Sequence, residues 1–183
     1  GAHCLEREAG GAGILLGGTA IAHGATIYGY NNADAYIVGD VNVDARGYFS
    51  AGTFQALGVT VTAQNGDAYL YVGGDVNANA QGPYNSNSQA IAGNVYGYNN
   101  ADVVVFGDVN ASASTGDFGY ALAIGMSITA ANGDAYLFND GHIYATASSG
   151  YQGISQAISV NIYGYNNADA YVYPAESSAA WPN

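Results

Sequence analysis

The sequence predicts an all-β chain that winds into a parallel β-solenoid of about five coils, with 33–34 residues and three short strands in each coil. Three observations predict this fold: a repeat of nearly constant length, alternating apolar and polar residues within each repeat, and Asn, Gly and Asp residues between the alternating stretches. Apolar residues do not recur at the spacing of a helix. Such repeats are typical of solenoids, because one repeat cannot bury its apolar side chains alone.

The repeat is visible in the motif YGYNNAD, which occurs at residues 28–34, 96–102 and 163–169. A variant lies between these copies, as QNGDAY at 64–69 and ANGDAY at 131–136. Aligned on one alanine of each unit, the repeats start 34, 34, 33 and 34 residues apart, at Ala22, Ala56, Ala90, Ala123 and Ala157. So regular a spacing predicts equivalent coils.

Each unit contains three stretches with the pattern of a strand. In the second unit these are GVTVTA (58–63), AYLYV (68–72) and DVNANA (75–80). Alternation with a period of two, bounded by Gly, Asn and Asp, is typical of strands. The polar stretch QGPYNSNSQ (81–89) is predicted to be one longer loop that closes the coil.

Aliphatic residues recur at the positions that would point into the solenoid. In the first strand of each unit they are Ile27, Val61, Val95, Ile128 and Ile162. In the second strand they are Ile37, Leu70, Val105, Leu137 and Val172, and in the third they are Val41, Val76, Val109 and Ile143. Stacked coils would form aliphatic columns, and a slip of one residue would turn each column outward.

Odd and even units differ at the first turn. In an odd unit, Ala35 follows Asn31 by four positions, whereas in an even unit Ala68 follows Asn65 by three. The first turn of the odd units is therefore predicted to hold one residue more. The Asn-Gly pair of the even units suits turn positions with positive φ. The true period is therefore predicted to be two coils.

The repeats ALGVTVTAQNGDAYLYVGGDVNANAQG (56–82) and ALAIGMSITAANGDAYLFNDGHIYATASSG (121–150) resemble those of secreted right-handed β-helix proteins, such as autotransporter passenger domains and bacterial surface adhesins. The resemblance covers roughly residues 20–173. It implies an extracellular or cell-surface location and adhesive or scaffolding work. Those relatives are usually far longer, whereas five coils of about 4.8 Å stack only about 24 Å high.

The chain divides into an N-terminal segment (1–21), the repeat domain (22–173) and a C-terminal tail (174–183). The fifth unit stops after its second strand, so we expect residues 10–21 of a neighbouring chain to complete it as a donor strand. Two alternatives are that residues 1–21 fold back as a cap and that the chain is a fragment of a longer protein. No secretory signal opens the sequence, so residue 1 is expected to be a processed or artificial end.

Composition argues against several function classes. Fourteen acidic residues against two Arg and no Lys give a net charge of −12, which disfavours nucleic acid and anionic membrane surfaces. No apolar run approaches the roughly 18 residues needed to span a bilayer. The acids occupy regular repeat positions without a distinctive pair, and the only basic side chains besides histidine are Arg7 and Arg46, so we expect no enzyme.

Neither histidine nor cysteine forms a recognisable site. The histidines, at positions 3, 23 and 142, are scattered relative to the repeat and predict no metal triad. The single Cys4 excludes an internal disulfide. It could form an intermolecular bond, carry a lipid anchor or be an incidental thiol.

The outward side of the second strand is predicted to be almost wholly aromatic and aliphatic. Its aromatic residues are Tyr36, Tyr69, Tyr71, Phe106, Tyr136, Phe138, Tyr171 and Tyr173, and Val38 and Val104 lie among them. A contiguous apolar patch usually marks an interface. Three explanations remain open: loops or ring stacking within the molecule, lateral packing against another subunit, or sugar binding by ring stacking.

The first turn repeats polar residues in every coil. An asparagine ladder is predicted from Asn31, Asn65, Asn99, Asn132 and Asn166. Aspartates recur beside it, at Asp34, Asp67, Asp102, Asp134 and Asp169. These carboxylates either cap turns by accepting backbone N–H bonds or bind calcium between coils; no other cofactor is expected.

Together these features predict an extracellular structural protein, a fibre subunit that joins other copies of itself head to tail and laterally. The alternative is a carbohydrate-binding or adhesive β-helix module that contacts a polysaccharide through its tyrosine columns. Neither reading involves nucleic acid or a membrane span.

Overall fold

The structure is a computed structural model that describes the backbone of residues 2–6 and 9–15, and residues 19–48 and 51–173 with their side chains. The described residues form a parallel β-solenoid of three sheets, with strands and no helix, which confirms the predicted fold class. We name the sheets after the residues that distinguish them.

The long-strand sheet contains β3 (Ala20–Gly29), β6 (Thr53–Ala63), β9 (Asn87–Gly97), β12 (Tyr120–Ala130) and β15 (Ile154–Gly164). The aromatic sheet contains β1 (Ala2–Glu6), β4 (Ala33–Ile37), β7 (Ala68–Val72), β10 (Ala101–Val105), β13 (Ala135–Asn139) and β16 (Ala168–Val172). The asparagine sheet contains β2 (Ala9–Leu15), β5 (Val41–Gly47), β8 (Val76–Gln81), β11 (Val109–Ser114) and β14 (Ile143–Ser148).

Successive strands of the chain belong to different sheets, and each strand pairs in parallel with its equivalents one coil away. A coil begins with a long strand: coil one is β3–β5, coil two β6–β8, coil three β9–β11, coil four β12–β14 and coil five β15–β16. The strands β1 and β2 precede coil one and pair with β4 and β5. The strands β1 and β2 therefore extend the same solenoid, and the tail (174–183) lies outside the described residues.

The predicted inward columns of the first and third strands are confirmed. Ile27 pairs with Val61, which pairs with Val95, and the column continues to Ile128 and Ile162. Val61, Val95 and Ile128 have no exposed surface. The third-strand column, with Val41 at its start, is equally regular and buried through coil three. Stacked aliphatic side chains thus form one continuous core.

The predicted register of the second strand is wrong by two residues in the odd coils. Ala33, not Ala35, pairs with Ala68, so Ile37 lies beside Val72 and not beside Leu70. The reason is that the first turn is one residue shorter in the odd coils than in the even coils. Gly29 pairs with Ala63, but Ala33 follows Gly29 by four positions, whereas its partner Ala68 follows Ala63 by five. A shift of two keeps each side chain on its predicted face.

The predicted loop 81–89 is shorter than expected. The strand β8 ends at Gln81 and β9 begins at Asn87, which leaves only residues 82–86 as a connection. The long strands bend in the middle, where both Gly58 and Val59 are buried and the alternation changes phase. A Cβ at Gly58 would collide with the carbonyl oxygen of Ala92 in the next coil, so the bend requires a small residue there.

The apolar core contains a buried side-chain amide that finds no partner. Asn139 is fully buried in the column that also holds Val105 and Val172, and neither its Nδ2 nor its Oδ1 atom has a hydrogen-bond partner. An unsatisfied buried amide costs about 1–3 kcal/mol. This residue therefore weakens the contact between coils four and five.

We expect Asn139→Val to raise the free energy of unfolding by about 1–3 kcal/mol, because it replaces an unpartnered amide with the aliphatic residue of the same column. Urea titration followed by circular dichroism measures the change.

The matched control is Val105→Asn, which places the same amide one coil earlier and should lower stability by a similar amount. A loss of stability in Asn139→Val would show that the amide makes a favourable bond after all.

Candidate functional site

The outer face of the aromatic sheet carries a connected series of rings. Contacts run from Tyr69 through Tyr36, Tyr71, Phe106 and Phe138 to Tyr173, with ring centroids 5.3–6.3 Å apart. A separate pair, Tyr136 and Tyr171, has centroids 5.8 Å apart. All eight residues that the sequence singled out for this face lie on it. The rings form tilted pairs, an arrangement that is favourable between aromatic side chains.

No loop closes over these rings within the described residues, since the connections that were expected to be long are short and lie at another corner. Tyr36, Phe106, Tyr171 and Tyr173 remain 43–55% exposed. The face therefore combines ring packing between coils with a large exposed aromatic surface, which is a common property of interaction surfaces.

Acidic residues alternate with tyrosines in the neighbouring column of the same face. The pairing places Asp34 beside Tyr69, Tyr69 beside Asp102, Asp102 beside Tyr136, and Tyr136 beside Asp169. Burial raises the pKa of Asp102 above its ordinary value, and the charges of Asp67 and Asp134 raise it further. Burial also raises the pKa of the Tyr69 hydroxyl, with smaller contributions from neighbours that include Tyr36.

The first turn contains a hydrogen-bonded ladder at a position next to the predicted one. Asp67 N–H donates to Asn32 Oδ1 (3.1 Å), and both the N–H and the Nδ2 of Asn100 donate to Asp67 Oδ1 (3.1 and 3.0 Å). The ladder continues when Asp134 N–H donates to Asn100 Oδ1 and Asn167 Nδ2 donates to Asp134 Oδ1. Asn and Asp thus alternate, and each carboxylate receives an amide donor.

The asparagines predicted as the ladder lie one or two residues earlier in each turn. Among them, Asn166 Nδ2 donates to the carbonyl oxygen of Asn132 at 3.4 Å. The sequence signal for the observed ladder was the alternation of NNA and NGDA, in which the residue before the alanine is Asn or Asp.

A second ladder lies at the turn between the aromatic and asparagine sheets. Asp75 N–H donates to Asp40 Oδ1, Asp108 N–H donates to Asp75 Oδ1, and His142 N–H donates to Asp108 Oδ1, at 2.8–2.9 Å. His142 also stacks on Tyr144, with centroids 5.3 Å apart. Backbone amides thus occupy one oxygen of each of these carboxylates.

The five aspartates considered for calcium occupy two different places. Asp67 and Asp134 belong to the turn ladder, whereas Asp34, Asp102 and Asp169 lie in the outer column of the aromatic sheet. Within the described ranges no group of three or more His, Cys, Asp or Glu side chains could hold a metal ion. His23 lies on the long-strand sheet, and the side chains of His3, Cys4 and Arg7 fall outside the part described. Arg46 Nε lies 2.7 Å from Asp44 Oδ2.

The end of coil five exposes side chains that are buried elsewhere. Val172 is 39% exposed, whereas Val105 in the same column is fully buried. Ile143, Val160 and Ile162 are only partly buried, and Ala168 and Ala170 are exposed. Among the described residues, β14, β15 and β16 each have one unpaired edge. The solenoid thus presents an apolar end with three open edges.

Asp102 supplies a test of the aromatic face. Because the pKa of Asp102 is raised in the folded state, the folded chain binds this proton more readily than the unfolded chain does. The contribution of Asp102 to the free energy of unfolding therefore falls as the pH rises from 3.8, the ordinary aspartate pKa, through the raised pKa of the folded state. We expect Asp102→Asn to stabilise the fold by about 0.5 kcal/mol at pH 7, a gain kept small by solvent screening.

The gain should disappear below pH 3.8, where Asp102 is protonated in both states. Urea titrations at several pH values measure it, and Asp169→Asn, at the exposed equivalent position in coil five, is the control. An Asp102→Asn effect that does not change with pH would contradict the electrostatic explanation.

No helix in the described part of the chain is long and apolar enough to cross a membrane. Comparison of the chain with protein-family models, with curated proteins and with solved structures finds no match.

Proposed function

We propose that this chain is an extracellular structural protein that assembles end to end, so that each copy extends the solenoid of the one before it. The observation that supports this most directly is the apolar end of coil five. Side chains such as Val172 and Ile162 occupy core columns there and yet remain accessible. Open parallel edges and exposed core residues are what a further coil would cover.

Strand direction and register favour a second copy as the occupant of this end. All strands are paired in parallel, so a copy stacked head to tail offers parallel strands to the open edges. Its β2 could pair with β14, and its β3 with β15, because β2 and β3 already align with the same columns in their own molecule. In that arrangement β2 takes the third-strand position of coil five, which no described strand fills.

The three sheets contain unequal numbers of strands, which adds a condition to this end-to-end contact. The aromatic sheet has six strands, whereas each of the other two sheets has five. When β2 and β3 of an incoming copy pair with β14 and β15, its β1 falls on the position that β16 of the first copy already occupies. Pairing β1 with β16 instead would leave one strand missing from each of the other sheets. Assembly therefore includes the displacement of one five-residue strand.

The remaining surface fits a structural role outside the cell. The aromatic face offers a lateral contact between stacks. The chain has no Lys, 27 Gly, 17 Tyr and a net charge of −12, and its repeats resemble those of secreted β-helix proteins. These features support an extracellular location and a homopolymer.

Sedimentation velocity and negative-stain electron microscopy test the proposal. The purified chain should form unbranched fibres at micromolar concentration. Ile162→Lys should raise the concentration needed for assembly by more than about 100-fold, because an unpaired charge at the apolar joint costs several kcal/mol.

The matched control is Tyr163→Lys, which adds the same charge to the outer side of the same strand and should still assemble. Circular dichroism establishes that both variants fold. A wild-type chain that stays monomeric across the micromolar range would overturn the proposal.

Removal of residues 1–6, which deletes β1, separates the strand-exchange step from assembly itself. Fibres should form faster than with the full chain, because no strand competes with β16. Equal rates would contradict the exchange step and leave end-to-end assembly standing.

A further inference from the structure

A groove lies at the third corner of the solenoid, between the asparagine sheet and the long-strand sheet. It is shallow and open to solvent, has a volume of about 560 Å³, and is lined by equivalent residues from four successive turns. Equivalent positions of successive coils form its walls. One wall contains Ala51, Asn85, Phe118 and Gln152, and the other contains Thr53, Asn87, Tyr120 and Ile154. This corner is separate from the aromatic sheet, and its last residues, Gln152 and Ile154, reach the terminal coil.

The first wall is built from an unusual backbone conformation. Asn85, Phe118 and Gln152 have φ values of 52°, 58° and 52°, in the left-handed region. Asn adopts this region at little cost, whereas it is unfavourable for Phe and Gln. The chain therefore keeps a strained aromatic and a strained amide side chain where Asn or Gly would be easier to accommodate. Strain of this kind concentrates at binding and catalytic sites.

Phe118 is the aromatic surface of this wall. Its side chain is 45% exposed, and its ring makes edge contacts with Tyr84 (centroids 5.6 Å apart, planes at 65°) and Tyr151 (5.9 Å, 85°). These two neighbours restrict the ring orientation. Fixing the ring before binding reduces the entropy that a ligand must offset.

The other lining groups define the chemistry of a ligand. Asn85 and Gln152 contribute amides that donate and accept hydrogen bonds, and Thr53 and Tyr120 contribute hydroxyls. None of the described residues that line the groove is Lys, Arg, Asp or Glu. With a net charge of −12 on the chain, an anionic ligand would be repelled and would find no cation to pair with.

We propose that this groove binds a neutral oligosaccharide along the axis of the solenoid, with Phe118 as the stacking surface. A neutral sugar has apolar C–H faces that pack on an aromatic ring and hydroxyl groups that pair with side-chain amides. The elongated groove fits a linear chain of sugar units. This site does not depend on end-to-end assembly, since Phe118, its stacking surface, lies between β11 and β12, away from the solenoid end.

Isothermal titration calorimetry of the full chain with cellohexaose, and separately with hexagalacturonate, tests the proposal. Cellohexaose should bind at millimolar concentration or below, and the anionic hexamer should not. Phe118→Asn should weaken cellohexaose binding at least about tenfold, since it removes the ring and keeps a residue that tolerates positive φ. Phe118→Tyr should retain binding.

The control variant is Phe106→Asn, which removes a similarly exposed ring from the aromatic sheet and should leave binding unchanged. Urea titration of each variant establishes that folding is intact. The proposal fails if the wild-type chain binds neither hexamer, if hexagalacturonate binds as tightly, or if Phe118→Asn binds cellohexaose normally. It also fails if Phe106→Asn loses binding, which would place the sugar on the aromatic sheet.

Discussion

Parallel pairing between neighbouring coils is the constraint on which the rest of the structure depends. Each strand hydrogen-bonds to its equivalents above and below, so every coil must follow the path of its neighbours and every side chain lies beside its own equivalents. For aliphatic residues the result is a dry continuous core. For asparagines it is a side-chain ladder, as in Asn77 Nδ2 donating to Asn42 Oδ1. For aspartates it would be repulsion. In two columns acids alternate with tyrosines or asparagines, and where Asp40, Asp75 and Asp108 stack directly, Asp40 and Asp75 each accept a backbone N–H from the next aspartate.

The sequence predicted the parts of the fold that this constraint makes periodic. Alternation was enough to place Val61, Val95 and Ile128 in the core, because a period of two distinguishes the two faces of a strand. It was not enough to fix the register of the second strand, because a shift of two residues leaves the pattern unchanged. The short turn at Asn31 and Asn32, which sets that register, becomes evident only from the pairing of Ala33 with Ala68.

Other features escaped the sequence for different physical reasons. The start of β9, Asn87-Ser88-Gln89, is polar and was therefore included in the predicted loop 81–89. The unpartnered Asn139 occupies a position that is aliphatic in the neighbouring coils, and only its burial reveals its environment. The left-handed conformation of Phe118 is equally invisible, since nothing about a phenylalanine signals positive φ. The predicted surface residues did share a face, but their ring contacts required the corrected register.

The difference between odd and even turns has a consequence for how such a chain can change in length. Gly66 lies against the backbone oxygen of Asn31 in the shorter turn, and there is no room for a Cβ there. Tyr69 likewise separates Asp34 from Asp102. Loss of one coil through unequal recombination would bring two turns of the same kind together and leave carboxylates side by side. Genes of this type should therefore lengthen and shorten by pairs of coils, so that their protein products differ by whole two-coil blocks.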